Sequence, residues 1–523
     1  MTEDVETTGG ALNALAEHRW YLALFALLGL LLAYSWMSTD VTAPNERSRI
    51  YLTMSIVDSG SIIVDDQVDK FGLPFDIAER DGHYYTDKAP GSSLLAVPLF
   101  WTYTALGGDT TSIEDLVLLA RFGVMLPITL ASLVLFWLIL TRLGLSRRLA
   151  AAMTATLALG TVLFHYGTAF YGHTIVLLCT LLAVFCIFKN LQRDGPSTLH
   201  WPLIAGLAAG TAFAVEYQAV IVFAAVALGF LSVPGHRRVG PVAALCAGAA
   251  LPVLIVFAYH TAAFGHPLTT SYDFLIHDAP VEHHDAGLWG VSFIPSLEAI
   301  YGLLFSPSRG LLMCAPLVLV GLAGIPALLR RCRWLGIVTA VCAGGYLWMA
   351  TSADDVWFAG WSFGPRLLIP MFGLVAIAGA VAYDKLRTHR PYIASALLGI
   401  FVAAIGYVVF VTVMFPELPP TVTAPAPSVA APLAMMGAPS PNLGMWFGLK
   451  PLASLIPLAV GVIAVAAFIV AAAFPGTESG NGRRWATVIV AGLVFTAVAW
   501  GYPENVPDDR LDDFVERRAA AHR

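Results

Sequence analysis

Apolar runs of roughly 17–25 residues, the length that crosses a bilayer as a helix, recur along this chain from near its start to near its end. They lie at approximately 20–37, 114–141, 148–164, 174–190, 202–217, 219–234, 240–261, 311–329, 334–350, 367–383, 391–414, 450–474 and 485–500, about thirteen in all. Backbone inside lipid must satisfy its own hydrogen bonds, so runs of this kind fold as helices. The pattern predicts an all-α polytopic membrane protein. Composition agrees, with 12% charged residues against about 25% in an average soluble domain. The run 92–106, LLAVPLFWTYTALGG, is shorter, contains Pro98 and follows a charged loop. It reads as an interfacial helix.

Basic residues orient the spans. They cluster at alternate junctions: His18 and Arg19; Arg142, Arg147 and Arg148; Lys189 and Arg193; Arg237 and Arg238; Arg330, Arg331 and Arg333; Lys385, Arg387 and Arg390; Arg483 and Arg484. The alternation closes only if 92–106 does not cross. It predicts a cytoplasmic N-terminus (1–19), a first transmembrane helix (20–37), an outer catalytic loop with juxtamembrane helices (38–113), a transmembrane domain with outer loops (114–500) and a C-terminal tail (501–523). The opening MTEDVETTGG is acidic and lacks the basic start of a signal peptide, so the first run is expected to stay as an anchor. The six cysteines fall in apolar runs or a basic turn, without zinc or disulfide spacing. The Pro- and Ala-rich stretch 416–442 reads as an extended or partly disordered outer cover.

Reactive side chains gather on the outer side, most densely between Ser38 and Gly91, where ten acids stand among Arg47, Arg49, Arg80 and Lys88. Charge beside membrane helices points to a hydrated site. In PNERSR (44–49), Asn45 can cap a helix and Glu46 suits a general base; the alternative is a first-turn acid favoured by the helix dipole. In DGHYYTDKAPG (81–91), Lys88 is placed to meet an anionic head group, or simply snorkels at a helix start. Arg309 in FSPSRG and Arg366 in WSFGPR enter spans from outer loops and can fork onto a phosphate, or serve as interface anchors, with Asp354 and Asp355 as possible partners of Arg366. Asp81, His83, Tyr84, Tyr85, His165, Tyr171, His173 and Glu216 are candidates for a sugar or acceptor pocket. His277, Asp278, Glu282, His283, His284 and Asp285 match no standard metal-ligand spacing, so a divalent metal is not favoured and a solvated loop is. The cytoplasmic turns carry no Gly-rich phosphate loop. Chemistry outside the nucleotide pool implies a lipid-borne substrate.

The order of these features resembles the GT-C superfamily of polyprenyl-phosphate-sugar-dependent membrane glycosyltransferases, most closely the branch of protein O-mannosyltransferases and lipid A aminoarabinose transferases. Asn45-Glu46-Arg47-Ser48-Arg49 resembles the acidic motif opening that family's first loop. Asp87-Lys88-Ala89-Pro90-Gly91 resembles its Lys-Pro-Pro-type motif, and Arg121 the arginine opening its second span. Asn45 stands where the family has its first acid, and His173 where it often has a second. The resemblance implies inverting transfer from a polyprenyl phosphate to a lipid, glycan or protein acceptor, outside a cytoplasmic (inner) membrane. Glu46 or Asp40 would be the base, and Lys88, Arg47, Arg49, Arg309 and Arg366 the donor-phosphate site. No nucleotide or redox cofactor is implied. A transporter or flippase of a lipid-linked glycan is the alternative, but it calls for charges along a path through the spans, and few ionisable groups fall mid-span here.

Overall fold

The computed structural model describes residues 3–35, 43–191, 199–233, 239–276, 294–353, 357–474, 481–504 and 508–521, with side chains in the first helix described from Arg19 onwards. It is a helical bundle. Among the described residues, eight helices are long and apolar enough to cross a membrane: Ile113–Arg142, Gly172–Leu191, Val239–Phe264, Arg333–Thr351, Arg366–His389, Pro391–Met414, Leu455–Ala473 and Gly482–Gly501. The remaining expected spans fall on shorter apolar helices, including Arg19–Tyr34 and His200–Val215. The expected span 148–164 is a helix only over Arg147–Leu159, after which the chain turns at Gly160 into a four-residue helix, Leu163–Tyr166. The whole stretch 149–177 is buried, so this break lies inside the protein, where irregular backbone is tolerated.

Small residues let the helices touch. A Cβ added at Gly206 or Gly248 would stand 2.0 Å from a backbone carbonyl oxygen, of Leu245 and Leu203 respectively, so His200–Val215 and Val239–Phe264 are in direct backbone contact.

The first loop is ordered from Ala43 onwards and is not purely helical. Pro44–Ser59 starts with proline in its first turn and ends on Gly60 in the left-handed region, where Gly60 N–H donates to the Ile56 carbonyl (3.0 Å) and Ser61 N–H to the Ser55 carbonyl (3.4 Å). Its N-cap is Ala43, without a side-chain cap bond, so the expected capping by Asn45 is not found. After the short helix Asp65–Phe71 comes a hairpin of β1 (Ile77–Arg80) and β2 (His83–Thr86). Its register is Ile77↔Thr86, Ala78↔Tyr85, Glu79↔Tyr84 and Arg80↔His83. Asp81 and Gly82 both have positive φ (54° and 79°), the backbone an Asp-Gly two-residue turn supplies. The helical fold expected from the sequence thus carries one small two-stranded sheet. The expected interfacial helix is Gly91–Ala105, fifteen residues with Pro98 inside. A Cβ on Gly91 would lie 2.5 Å from Ala214 backbone atoms, so glycine is what lets this helix start against the end of His200–Val215.

The cover at 416–442 is folded. Ala426–Met435 is helical, Ser362 N–H donates to the Leu418 carbonyl (3.0 Å), and Glu504 accepts from Thr423 N–H (3.1 Å) and Ala424 N–H (3.0 Å). Contacts among the first loop, 165–173, 216–217, 271–275, 306–310, 358–366 and 416–419 gather these segments at one end of the bundle.

Candidate functional site

The hairpin register carries Asp76 across from Asp87, at the foot of the two strands. Both reach Lys88: its ammonium is 2.9 Å from Asp76 Oδ2 and 2.6 Å from Asp87 Oδ2. Ser48 from helix Pro44–Ser59 donates to Asp87 Oδ1 (3.1 Å) and meets Thr86 Oγ1 (2.6 Å), while Ser271 Oγ donates to the Asp87 carbonyl (2.6 Å). Burial pushes the Asp87 carboxyl up; Lys88 opposes this and Asp76 adds to it. Burial pulls Lys88 down, but Asp76 and Asp87 outweigh it and hold the lysine charged.

Arg49, one turn after Glu46, is buried and donates through Nη2 to Glu216 Oε1 at 2.8 Å. Its Nε and Nη1 are buried without a hydrogen-bond partner. Buried donors left open are rare in folded proteins and point to a missing acceptor. Glu216 also lies 4.0 Å from His173 Nδ1. A Cβ on Gly172 would strike its carboxylate at 2.1 Å, so glycine there clears the space. Burial alone would raise Glu216, but His173, Arg49 and Lys88 outweigh it and hold the carboxyl below its ordinary value. Arg366 stands 5.1 Å from the Tyr171 ring centroid, with its Nε buried and unpartnered. His173 stacks on Tyr171 with ring centroids 6.3 Å apart, so Arg49, Glu216, His173, Tyr171 and Arg366 are successive neighbours, and the Asp87–Lys88 pair meets the helix that carries Arg49 through Ser48.

Other expected site residues are placed elsewhere. Glu46 is fully buried and gripped by Arg121, with Arg121 Nε donating to Oε1 at 2.9 Å and Nη2 to Oε2, and Oε1 also accepts from Phe170 N–H (2.8 Å). A carboxylate so engaged ties the first loop to the interior break. Arg47 donates to the Phe71 carbonyl and to Tyr51 Oη (3.0 Å), linking two loop helices, while its Nε is buried without a partner. Arg309 donates through Nε to the Phe358 carbonyl (3.1 Å) and through Nη1 to Ser308 (3.2 Å). Its Nη2 serves the Gly360, Leu418 and Pro419 carbonyls at 3.4–3.5 Å. Its donors are spent on backbone carbonyls, and it pins the cover.

The hairpin residues are structural as well. Asp81 is the exposed turn tip, 3.2 Å from Arg80; His83 Nδ1 lies 2.7 Å from Asp65; Tyr84 N–H donates to Asp65 Oδ1; and Tyr85 packs on Phe264. His165 is fully buried beside Tyr166, with Nε2 3.7 Å from Glu417. Asp40, the cluster His277–Asp285, Asp354 and Asp355 lie outside the described residues. Among the described residues, no three His, Cys, Asp or Glu side chains are grouped to hold a metal.

Sequence reasoning placed Asp87 in a motif but foresaw neither its pairing nor that of Asp76 with Lys88, nor the approach of Glu417 to His165. Asp76 was readable in principle, since the Asp81-Gly82 turn fixes a register that sets it opposite Asp87. Nothing local marks Glu417, whose position depends on the fold of the cover.

No protein-family model matches the sequence, and no curated protein matches it. Solved structures similar to this one include ArnT from Cupriavidus metallidurans bound to undecaprenyl phosphate, at 14% identity and TM-score 0.49, over 92% of this chain and 78% of that one. The oligosaccharyltransferase of Archaeoglobus fulgidus in its apo form is similar at 12% identity and TM-score 0.43, over 95% of this chain and 59% of that one. The archaeal oligosaccharyltransferase AglB from the same organism, in complex with an inhibitory peptide and a dolichol-phosphate, gives 12% identity and TM-score 0.43, over 96% and 60%. This chain thus spans about three-fifths of the archaeal chains.

Proposed function

We propose that this protein is a membrane glycosyltransferase. It moves a sugar from a polyprenyl-phosphate donor to a lipid, glycan or protein acceptor, with inversion, on the outer face of a cytoplasmic membrane. The observation that carries this reading is the run of neighbours Arg49, Glu216, His173, Tyr171 and Arg366, beside the Lys88 ion pairs, in which Arg49 Nε, Arg49 Nη1 and Arg366 Nε have no partner. Guanidinium groups with open donors suit a phosphate. As the glycosidic bond breaks, negative charge grows on the phosphate oxygen, and cations fixed in advance stabilise it without reorganising. The walls are built for this. Asp76, Asp87 and Glu216 orient the cations and neutralise them while no donor is bound. Tyr171 and His173 stack beside them and supply aromatic surface for a sugar ring.

The test uses purified protein in liposomes with labelled undecaprenyl-phosphate sugars (mannose, arabinose, galactose and aminoarabinose) and extracted envelope material as acceptor. Transfer of label from at least one donor is expected, with release of undecaprenyl phosphate. Lys88→Ala and Arg49→Ala should each lower transfer by about 100-fold or more, the size seen when one charge-stabilising donor is removed from an active site. Wild-type rates in both variants, or no turnover of any donor by the unaltered protein, would sink the proposal.

A further inference from the structure

The acids described around the cationic pocket each have a cation in contact. Glu46 holds Arg121, Asp76 and Asp87 share Lys88, and Glu216 holds Arg49. A carboxylate paired in this way gives up an ion pair when it takes a proton, which makes it a weak base.

Glu417 is arranged differently. It follows helix Pro391–Met414, is 4% exposed, and among the described residues its one ion-pair partner is His165, at 3.7 Å. From His165 the rings of Tyr166 and Tyr171 follow at 4.4 and 5.5 Å, and Arg366 lies 5.1 Å from the Tyr171 ring, so Glu417 stands at the end of a wall that leads to the cationic site. The backbone beside it is fixed. Leu418 and Pro419 carbonyls accept from Arg309, Leu418 also accepts from Ser362 N–H, and Glu504 holds Thr423 and Ala424. So much fastening on one turn of a Pro- and Ala-rich loop places a carboxylate next to a histidine and an aromatic wall.

We propose that Glu417, backed by His165, is the general base that activates the acceptor hydroxyl. This rests on the transferase reading above. In the step, the acceptor O–H gives its proton to the Glu417 carboxylate as its oxygen bonds to the anomeric carbon. The bond from that carbon to the phosphate oxygen breaks, and its electron pair stays on the phosphate, facing Arg49, Lys88 and Arg366. His165 stands within reach to pass the proton onward from the carboxylate.

The experiment compares the unaltered protein with Glu417→Gln and Glu417→Ala, using whichever undecaprenyl-phosphate sugar is turned over in the liposome assay. Loss of a general base lowers transfer by roughly 100- to 10,000-fold, while binding of undecaprenyl phosphate, measured by native mass spectrometry, stays unchanged. Azide carries no proton to remove, so with Glu417→Ala it should restore sugar release and give a glycosyl azide. A wild-type rate in Glu417→Gln overturns the inference alone. So does a slow Glu417→Ala that azide does not rescue, because that marks a structural role. If the unaltered protein turns over no donor, the transferase reading itself has failed and the inference falls with it.

Discussion

Glu46 has a place in the fold that its motif does not announce. Its place after the first apolar run and its motif suggested a base, yet its carboxylate is enclosed by Arg121 and the Phe170 amide. That arrangement needs a partner 75 positions away, which no local pattern announces. Removing one member of a buried pair strands the other charge, so Glu46→Gln and Arg121→Ala should each destabilise the fold by about 3–5 kcal/mol, read as a lower unfolding temperature in detergent. Lys88 was legible because a lysine before a Pro-Gly helix start is conspicuous, whereas Asp76 became visible only through strand pairing. Glu216 carries a pH signature. Its carboxyl is held below the ordinary value, so the stability it contributes is complete above about pH 4.3 and fades as the medium is acidified further. Replacing it with glutamine should flatten the acid limb of a plot of unfolding temperature against pH.

At the scale of elements, apolar length located the helices well and their ends poorly. The run 148–164 is a helix for thirteen residues and then a buried turn, because Gly160 and the polar Thr161 allow the chain to leave the helix where protein rather than lipid surrounds it. The hairpin was overlooked although Asp81-Gly82 is a strong turn signal; the nearby charges drew the reading toward chemistry. Helix contacts are equally specific. Because Gly206 and Gly248 admit a neighbouring backbone at a distance no Cβ tolerates, Gly206→Val or Gly248→Val must push the two helices apart. The cost should be of order 1–3 kcal/mol or more, measurable as lost thermal stability, while the same change at Gly344, which meets nothing within 4 Å, should be tolerated far better.

For the whole molecule, the distribution of Lys and Arg predicts which end faces the cytoplasm, and the structure independently collects the motif-bearing segments at one end. These two facts make a joint prediction about topology. In cells lacking the exposed Cys246, a cysteine placed at Asp81, on the hairpin tip, should react with a membrane-impermeant maleimide, and one at Thr388 should not. The reverse labelling would turn the proposed chemistry toward the cytoplasm. What remained illegible at this scale was the cover. Its Pro and Ala content suggested a loose segment, but Arg309 and Glu504 gather its backbone into a fixed lid.

The lysine held between two acids has a consequence for how the empty protein greets its ligand. In the proposed transferase, a donor phosphate that takes the place of one of those acids leaves its carboxylate without a cation, and a carboxylate stranded in a dry site takes up a proton. Asp87, already inclined that way by burial, is the natural recipient. Capture of undecaprenyl phosphate should therefore consume a hydrogen ion. Its affinity should slacken as the medium turns alkaline, and its calorimetric heat should vary with the ionisation enthalpy of the buffer.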